Sequence, residues 1–210
     1  MTEPASPPAR RRGMTSFYLA MGALLALAAA FAFAWTPLRV WYWEKEFMGY
    51  VRAVPADTPV SFHIWRPNGG RMLIGTAKEG TEALGRLIEL GPAAASAIER
   101  ALSSLPADRQ MRVMDCLAEA GEAWTVRALV SSVRGGKPYL VREALDTAER
   151  VTGQVFFPNG PRSTRNPNPP IRAGEWTGRA IQPAELEVGR ERFLAWWESE
   201  GQAKYGGGEK

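Results

Sequence analysis

The sequence predicts a mainly α-helical protein, a short α-solenoid of helix pairs with a small β-hairpin, preceded by one transmembrane helix. Three observations predict this fold class. Residues 17–35 form an uncharged apolar run, which as a helix is long enough to cross a bilayer. From residue 77 onward, apolar residues recur with a period of about 3.6, which indicates amphipathic helices. Glycines at 91, 121 and 153 end helical patterns at a nearly constant spacing, and short helices repeated in this way are typical of solenoids.

The apolar run is interpreted as a membrane anchor over residues 16–36, after an N-terminal tail over residues 1–15. Basic residues before the run and aromatic residues after it match a cytoplasmic positive cluster and an interfacial aromatic belt. We therefore expect a single-pass protein of the cytoplasmic (inner) membrane, with its N-terminus in the cytoplasm and its C-terminal domain periplasmic or extracytoplasmic. The residues predicted to lie at the membrane interface are Arg10, Arg11, Arg12, Trp35, Trp41, Tyr42 and Trp43.

A cleavable signal peptide is the alternative for the same segment. The sequence Ala32-Phe33-Ala34 has the small-residue pattern of a signal peptidase site. Cleavage after Ala34 would release a soluble exported binding or lyase-like module. The apolar run is longer than the hydrophobic part of an ordinary signal peptide, and aromatic residues follow it directly, which favours a retained anchor.

Residues 37–59 are predicted to form a juxtamembrane helix and a linker. The helix either continues out of the membrane or lies along the interface, and Pro37 would mark a kink or a break. Residues 60–75 are predicted to form a β-hairpin with strands over 60–65 and 71–75, because Pro67-Asn68-Gly69-Gly70 between them is a strong turn signal. An isolated hairpin is marginally stable, so this one should pack on the first helices.

Residues 76–155 are predicted to hold the helical repeats. Gly91-Pro92, Gly121, Gly135-Gly136 and Gly153 are the predicted helix stops. A short solenoid needs caps at both ends. We expect the hairpin to close one end and a helix over residues 183–201 to close the other, followed by a flexible tail over 202–210. The capping residues of that last helix are Leu186, Phe193, Leu194 and Trp197.

Several segments resemble a known repeat family. They are Thr125-Val126-Arg127-Ala128-Leu129-Val130, Tyr139-Leu140-Val141-Arg142-Glu143-Ala144-Leu145, Val151-Thr152-Gly153-Gln154-Val155-Phe156 and Trp196-Trp197. The pattern resembles HEAT-like repeats, in particular the short bacterial kind related to phycobilisome-lyase repeats. It covers the repeat region and the terminal helix. The resemblance implies a stack of helix pairs and a protein-binding surface. It also allows a lyase activity, for which the residues of this chain give little support.

Residues 156–182 form a loop rich in proline, glycine and asparagine. Four arginines against Glu175 give it a local charge of +3. One interpretation is a strap that lays Trp176 across the helices. The others are a surface that binds a protein partner, a lipid or peptidoglycan, because arginine and tryptophan are favoured at interfaces. The candidate partner-binding residues are Arg162, Arg165, Arg172, Trp176 and Arg179.

Composition and residue counts exclude several classes of function. Residues 76–155 carry 10 basic and 11 acidic side chains, so the helices offer no basic face for nucleic acid. The sequence has a single cysteine, Cys116, which excludes an intramolecular disulfide. Its position within an apolar helical pattern predicts a core residue. With a single histidine, His63, which reads as a strand residue, the usual zinc ligand sets cannot be assembled. We therefore predict no catalytic residues, no metal and no cofactor, and identify no small-molecule substrate.

These observations together predict a non-catalytic, membrane-anchored scaffold or accessory subunit. Its exported HEAT-like domain would bind and stabilise a larger membrane protein complex. The sequence does not specify that complex.

Overall fold

A computed structural model describes residues 11–55, 58–65, 70–75, 80–157 and 182–206. The chain forms two units, residues 1–39 and 40–210. The mainly helical class with a small antiparallel hairpin is confirmed for the described residues, whereas the solenoid arrangement stays a prediction. The elements are α1 (Arg11–Ala53), β1 (Phe62–Trp65), β2 (Arg71–Ile74), α2 (Ala83–Glu89), α3 (Ala95–Ser104), α4 (Ala107–Ala120), α5 (Val126–Gly135), α6 (Pro138–Thr152), α7 (Pro183–Trp196) and α8 (Gln202–Tyr205).

The first unit contains the apolar part of α1. Its described side chains are mostly exposed, including Tyr18, Leu24 and Phe31. Within the described residues, α1 contains a segment long and apolar enough to cross a membrane, as predicted. Of the kink or break predicted at Pro37, the break is contradicted, because α1 continues through this residue. Proline removes one backbone hydrogen bond, and the remaining bonds of a long helix are enough to continue it.

The core of the second unit is made by helices that pack against neighbours two elements away. Helix α3 packs on α5, α4 packs on α6, and α5 and α6 also pack on each other. Their buried side chains are the apolar residues of the predicted helical stripes. The largest buried side chains of these four helices are Ile98, Leu102, Met114, Leu117 and Leu129.

Three helices end at a glycine in the left-handed conformation. Gly91, Gly121 and Gly153 have φ values of 71°, 71° and 72°. Only glycine adopts this conformation without a steric cost from Cβ, which is why it is favoured just after a helix. A Cβ added at any of the three would meet nothing within 4 Å. These residues are therefore needed for their backbone conformation, and the predicted stops at these positions are confirmed.

The hairpin packs on the first helices, as expected. Phe62 of β1 lies opposite Ile74 of β2, and Thr81 adds a short parallel bridge beside Phe62. Helix α2 lies so close to β1 that a Cβ on Gly85 would stand 2.4 Å from the carbonyl oxygen of His63. His63 is a strand residue, as predicted. The connection over residues 66–69 lies outside the described residues.

The C-terminal helix covers the opposite end of the helical region. Leu186, Phe193 and Trp197 are buried, and α7 packs on α6 and α5. The Phe193 ring lies 5.1 Å from the ring of Phe156, between centroids. Leu194, the fourth predicted capping residue, is half-buried, and the capping of a solenoid stays a prediction.

The helical structure extends past the predicted end at residue 201. After α7, a wider turn over Trp197–Gly201 leads into α8, which ends at Tyr205. Part of the segment expected to be a flexible tail is therefore helical. Gly201 is buried, and a Cβ there would lie 2.8 Å from the Trp197 side chain. The absence of a side chain at Gly201 therefore allows this close packing.

A buried carboxylate holds the chain that follows α6. Glu149 is only 5% exposed. Its Oε1 accepts hydrogen bonds from the backbone N–H of Phe156, at 2.6 Å, and of Phe157, at 3.0 Å. Because charge-assisted hydrogen bonds to backbone N–H groups are strong, Glu149 fixes both aromatic side chains in the core.

Candidate functional site

The C-terminal part of α1, residues 40–53, packs on the helical domain with one face. Phe47 and Val51 are 0% and 1% exposed, and the Phe47 ring lies 5.6 Å from the ring of Phe62. The hydroxyl of Tyr50 accepts a hydrogen bond of 3.4 Å from the backbone N–H of Ser61. Residues 47 and 51 are one helical turn apart and share a face. This segment is therefore part of the folded domain.

A buried arginine closes the end of this helix. The guanidinium group of Arg109, on α4, donates hydrogen bonds to the backbone carbonyl oxygens of Val51, of Val54 at 2.8 Å and of Pro55 at 2.7 Å. The last carbonyl groups of a helix have no partner within the helix and carry the negative end of its dipole. Arg109 is 5% exposed, so a buried cation satisfies these carbonyl groups from within the domain.

An ion pair also holds residues 40–53 of α1 against the domain. Arg100 of α3 donates to both carboxylate oxygens of Glu44, with Nε at 3.0 Å and Nη2 at 2.6 Å. This two-point geometry is the strong form of an arginine-carboxylate pair. The hydrogen bond to Glu44 raises the pKa of Arg100. Glu44 is thus neutralised locally by Arg100.

The opposite face of residues 40–53 is exposed and carries aromatic, basic and acidic side chains. A helix turns by about 100° per residue, which places positions 41, 42, 45, 49 and 52 within one third of its circumference. We call these residues the outer stripe: Trp41, Tyr42, Lys45, Gly49 and Arg52, all of them exposed. The ammonium nitrogen of Lys45 lies 5.4 Å from the centroid of the Trp41 ring. Glu46, which is also exposed, lies at the edge of this stripe, one helical turn after Tyr42.

An open groove runs beside the outer stripe. Its volume is about 1080 Å³, and its lining includes Trp41, Lys45, Arg52, Thr81 and Arg100. Thr81 comes from the bridge beside β1 and Arg100 from α3, so the groove lies where the α1 segment meets the rest of the domain. It presents both apolar and charged groups to solvent.

A second groove of about 460 Å³ lies between the starts of α6 and α7, with Tyr139, Pro183 and Leu186 among its lining residues. The start of α7 is closed by a reciprocal capping pair of Gln182 and Glu185. Glu185 Oε2 accepts the backbone N–H of Gln182 at 3.2 Å. Because the backbone N–H groups at this helix start are already capped within the chain, the contacts that the groove offers are mainly apolar.

The predicted interface residues have different environments. Trp35, Trp41 and Tyr42 are exposed by 49%, 60% and 48%. Trp43 is half-buried and packs against the domain core. Arg10 lies outside the described residues, and so do the side chains of Arg11 and Arg12. All five candidate partner-binding residues also lie outside them, namely Arg162, Arg165, Arg172, Trp176 and Arg179.

Sequence reasoning missed the packed face of α1 and the partners that hold it. Glu44, Phe47 and Val51 recur at helical spacing, which is a signal that the sequence does carry. Arg109 gives no such signal, because its carbonyl partners lie 54 to 58 residues earlier in the chain. The candidate site therefore has two parts. The exposed stripe was predicted in part, and the buried contacts that hold α1 against the domain were not predicted.

Titratable groups of the described residues include no cluster of three or more His, Cys, Asp or Glu side chains that could hold a metal ion. Cys116 is fully buried in α4, as predicted. Burial raises the pKa of its thiol well above the ordinary value. A buried thiol of this kind is protonated at neutral pH and is a poor nucleophile.

No protein-family model, curated protein or solved structure matches this chain. The resemblance to HEAT-like repeats therefore stays an inference from the residues of the chain itself.

Proposed function

We propose that this protein is a non-catalytic, membrane-anchored scaffold or accessory subunit whose exported helical domain binds and stabilises a larger membrane protein complex. One observation carries the proposal. The packed unit begins at residue 40, within the same helix α1 that carries the exposed apolar segment of bilayer length. A domain joined to its span within one helix stays close to the membrane, where the partners of an accessory subunit are found.

A HEAT-like solenoid is the arrangement that we propose for the domain. Two polar contacts support it by recurring at one spacing. Arg127 of α5 donates to Ser96 of α3 at 3.2 Å, and Arg150 of α6 donates to Glu119 of α4 at 2.9 Å, each across 31 residues. The packing of α3 on α5 and of α4 on α6 has the same period. Stacked repeats expose extended surfaces that suit protein binding.

The proposed topology places the N-terminus in the cytoplasm and the helical domain outside the cytoplasmic membrane. The basic cluster of residues 10–12 supports this orientation through the positive-inside tendency. The test is protease treatment of intact spheroplasts of a bacterial host. Degradation of the helical domain is the expected result, and protection of the domain until the cells are lysed would contradict the orientation.

The test of the function is purification from the native membrane at native expression, in a mild detergent. We expect a partner of constant stoichiometry that remains after gel filtration. A matched control keeps residues 37–210 and replaces 16–36 with an unrelated apolar span. Retention of the partner by this control would assign binding to the helical domain. A monodisperse chain without any stoichiometric partner would contradict the proposal.

A soluble exported module is the second candidate, and one observation favours it. Cleavage after Ala34 would leave the packed unit, which begins at residue 40, complete. N-terminal sequencing of the mature protein separates the two candidates. A chain that begins at Trp35 supports the soluble module, and a chain that keeps residues 16–36 supports the anchored scaffold.

A further inference from the structure

We infer that the groove between the starts of α6 and α7 is a docking site for Trp176 of the same chain. The groove has a volume of about 460 Å³, and its lining includes Tyr139 and Arg142 of α6 and Pro183, Leu186 and Glu187 of α7. Trp176 belongs to residues 158–181, which we call the connecting segment and which lie outside the described residues. The inference concerns the helical domain alone, so it applies to the anchored and to the released form of the protein.

The described chain stops and resumes at the same helix. Phe157 precedes the connecting segment, and one atom of its ring lies 3.3 Å from a Cβ built on Gly189 in the middle of α7. Gln182 follows the segment and caps the start of α7. The connecting segment therefore leaves the domain and rejoins it at the helix that forms one wall of the groove.

The length of chain between Trp176 and the groove suits docking. Trp176 is seven positions before Pro183, which lines the groove. Seven residues span at most about 25 Å when extended and about 15 Å as a random coil, whereas the axes of packed helices are roughly 8 to 10 Å apart. A tether of this length gives an effective concentration on the order of millimolar. A contact too weak to bind a separate peptide is therefore enough to occupy the groove.

The chemistry of the groove fits a tryptophan side chain. Tyr139 is 44% exposed and brings an aromatic ring to the lining, next to the apolar side chain of Leu186. Glu187 pairs with Arg190 at 3.7 Å through one oxygen, and a carboxylate has further lone pairs that can accept the N–H of an indole ring. Trp176 is the one aromatic residue in the sequence of the connecting segment, so it is the occupant that this lining favours.

Docking of Trp176 would also locate two of the candidate partner-binding arginines. Arg172 is four positions before Trp176 in the sequence, and Arg179 is three positions after it. Both would be held beside the start of α7. Arg162 and Arg165 are more than ten positions away, so the docked ring would restrain them less. The groove would thus give one part of the basic connecting segment a fixed place on the domain.

The test is trypsin digestion of the full chain in detergent micelles, with the rate of each cut measured by mass spectrometry. Trypsin cuts after arginine, and the connecting segment contains four possible sites, after Arg162, Arg165, Arg172 and Arg179. A protease cuts chain that is locally free of the folded structure. The rates after Arg172 and Arg179 therefore report whether Trp176 is docked, and the rate after Arg162 is an internal reference.

Three single variants are compared with the natural chain. Trp176→Ala removes the occupant, and Tyr139→Ala removes an exposed wall of the groove. Val188→Ala is the matched control, because Val188 is an exposed apolar residue of α7 that is not part of the groove lining. A double variant that carries the first two substitutions tests whether they remove the same contact.

We expect Trp176→Ala and Tyr139→Ala each to speed cleavage after Arg172 and Arg179 several-fold and to leave cleavage after Arg162 unchanged. The double variant should be cut no faster than either single variant, and Val188→Ala should be cut like the natural chain. Equal rates in Tyr139→Ala and the natural chain would overturn the inference. Faster cleavage at all four arginines in Tyr139→Ala would also overturn it, because that result means a loosened domain instead of an emptied groove.

Discussion

Arg109 donates a hydrogen bond of 2.8 Å to the carbonyl oxygen of Val54, just after the end of α1. It joins the middle of the helical domain to the segment that follows the apolar span. The guanidinium group is 5% exposed and also binds the carbonyl oxygen of Pro55. The buried guanidinium group stabilises the fold while it is hydrogen-bonded to these helix-terminal carbonyl groups. Removal of either partner would leave the other buried without a hydrogen bond.

Replacement of this arginine should therefore unfold the domain more easily. In Arg109→Met, the methionine keeps most of the apolar contact but leaves the carbonyl groups without their donor. We expect the free energy of unfolding to fall by about 2 to 4 kcal/mol, measured by urea denaturation in detergent. Arg112→Met is the control, because Arg112 is more exposed and pairs with Asp115 at 3.3 Å. Equal effects of the two substitutions would show that Arg109 has no special role.

The left-handed glycines give a second prediction. Gly121→Ala and Gly153→Ala should each destabilise the domain by about 1 kcal/mol or more, because alanine carries a Cβ that disfavours positive φ. Gly135→Ala is the control, since its φ is not positive and a Cβ there also meets nothing within 4 Å. Thermal unfolding should show lower midpoints for the first two variants. An unchanged midpoint in both would mean that these turns relax into another conformation.

The C-terminal cap gives a third prediction. Phe193 is fully buried between Phe156 and Trp196, with ring centroids at 5.1 and 5.9 Å. Phe193→Ala should cost about 3 to 5 kcal/mol through lost burial and a remaining cavity. A chain that ends at Gly189 should be affected more, because it also loses Trp197. Val188→Ala, on the exposed side of α7, is the control. A full-length melting temperature for the shortened chain would disprove the capping role.

The buried thiol predicts a pH dependence. In the folded state burial raises the pKa of Cys116 well above its ordinary value, whereas an unfolded chain has a thiol pKa of about 8.5. Below that pH both states keep the proton, so the thiol has no effect. Above it only the unfolded state loses the proton, and the free energy of unfolding falls as pH rises.

The measurement is the melting temperature between about pH 7 and pH 9.5, a range that includes the titration of an unfolded thiol. We expect the chain with Cys116 to lose more stability over this range than Cys116→Ala. The comparison cancels the effects of groups that both chains share. Identical losses would mean that the thiol is hydrated in the folded state.

Much of the fold follows from local patterns in the sequence. Gly121 and Gly153 end α4 and α6 where predicted, and Pro138 and Pro183 begin α6 and α7. Each of these signals acts within one helical turn, through the permitted φ of glycine or the fixed φ of proline. The burial of the apolar stripes in the repeat region is also predictable from local sequence, since the helical period alone determines which face of a helix is apolar.

The attachment of α1 could not be predicted in this way. Glu44 pairs with Arg100 across 56 residues, and Arg109 reaches carbonyl groups that have no side-chain signature. The helix was predicted to end at residue 201, and its continuation to Tyr205 was missed, because the close packing that Gly201 allows against Trp197 has no local signal in the sequence. The outer stripe was foreseen only as an aromatic belt, because the separation of exposed Trp41 from half-buried Trp43 depends on which face meets the domain.

The central claim is that the apolar helix is retained and holds the folded domain at a membrane. The most direct measurement is the intact mass of the protein recovered from carbonate-washed membranes of cells that express the natural chain. We expect a full-length chain of about 23.1 kDa in the washed membranes. A chain that lacks residues 1–34 and is recovered in the soluble fraction would contradict it.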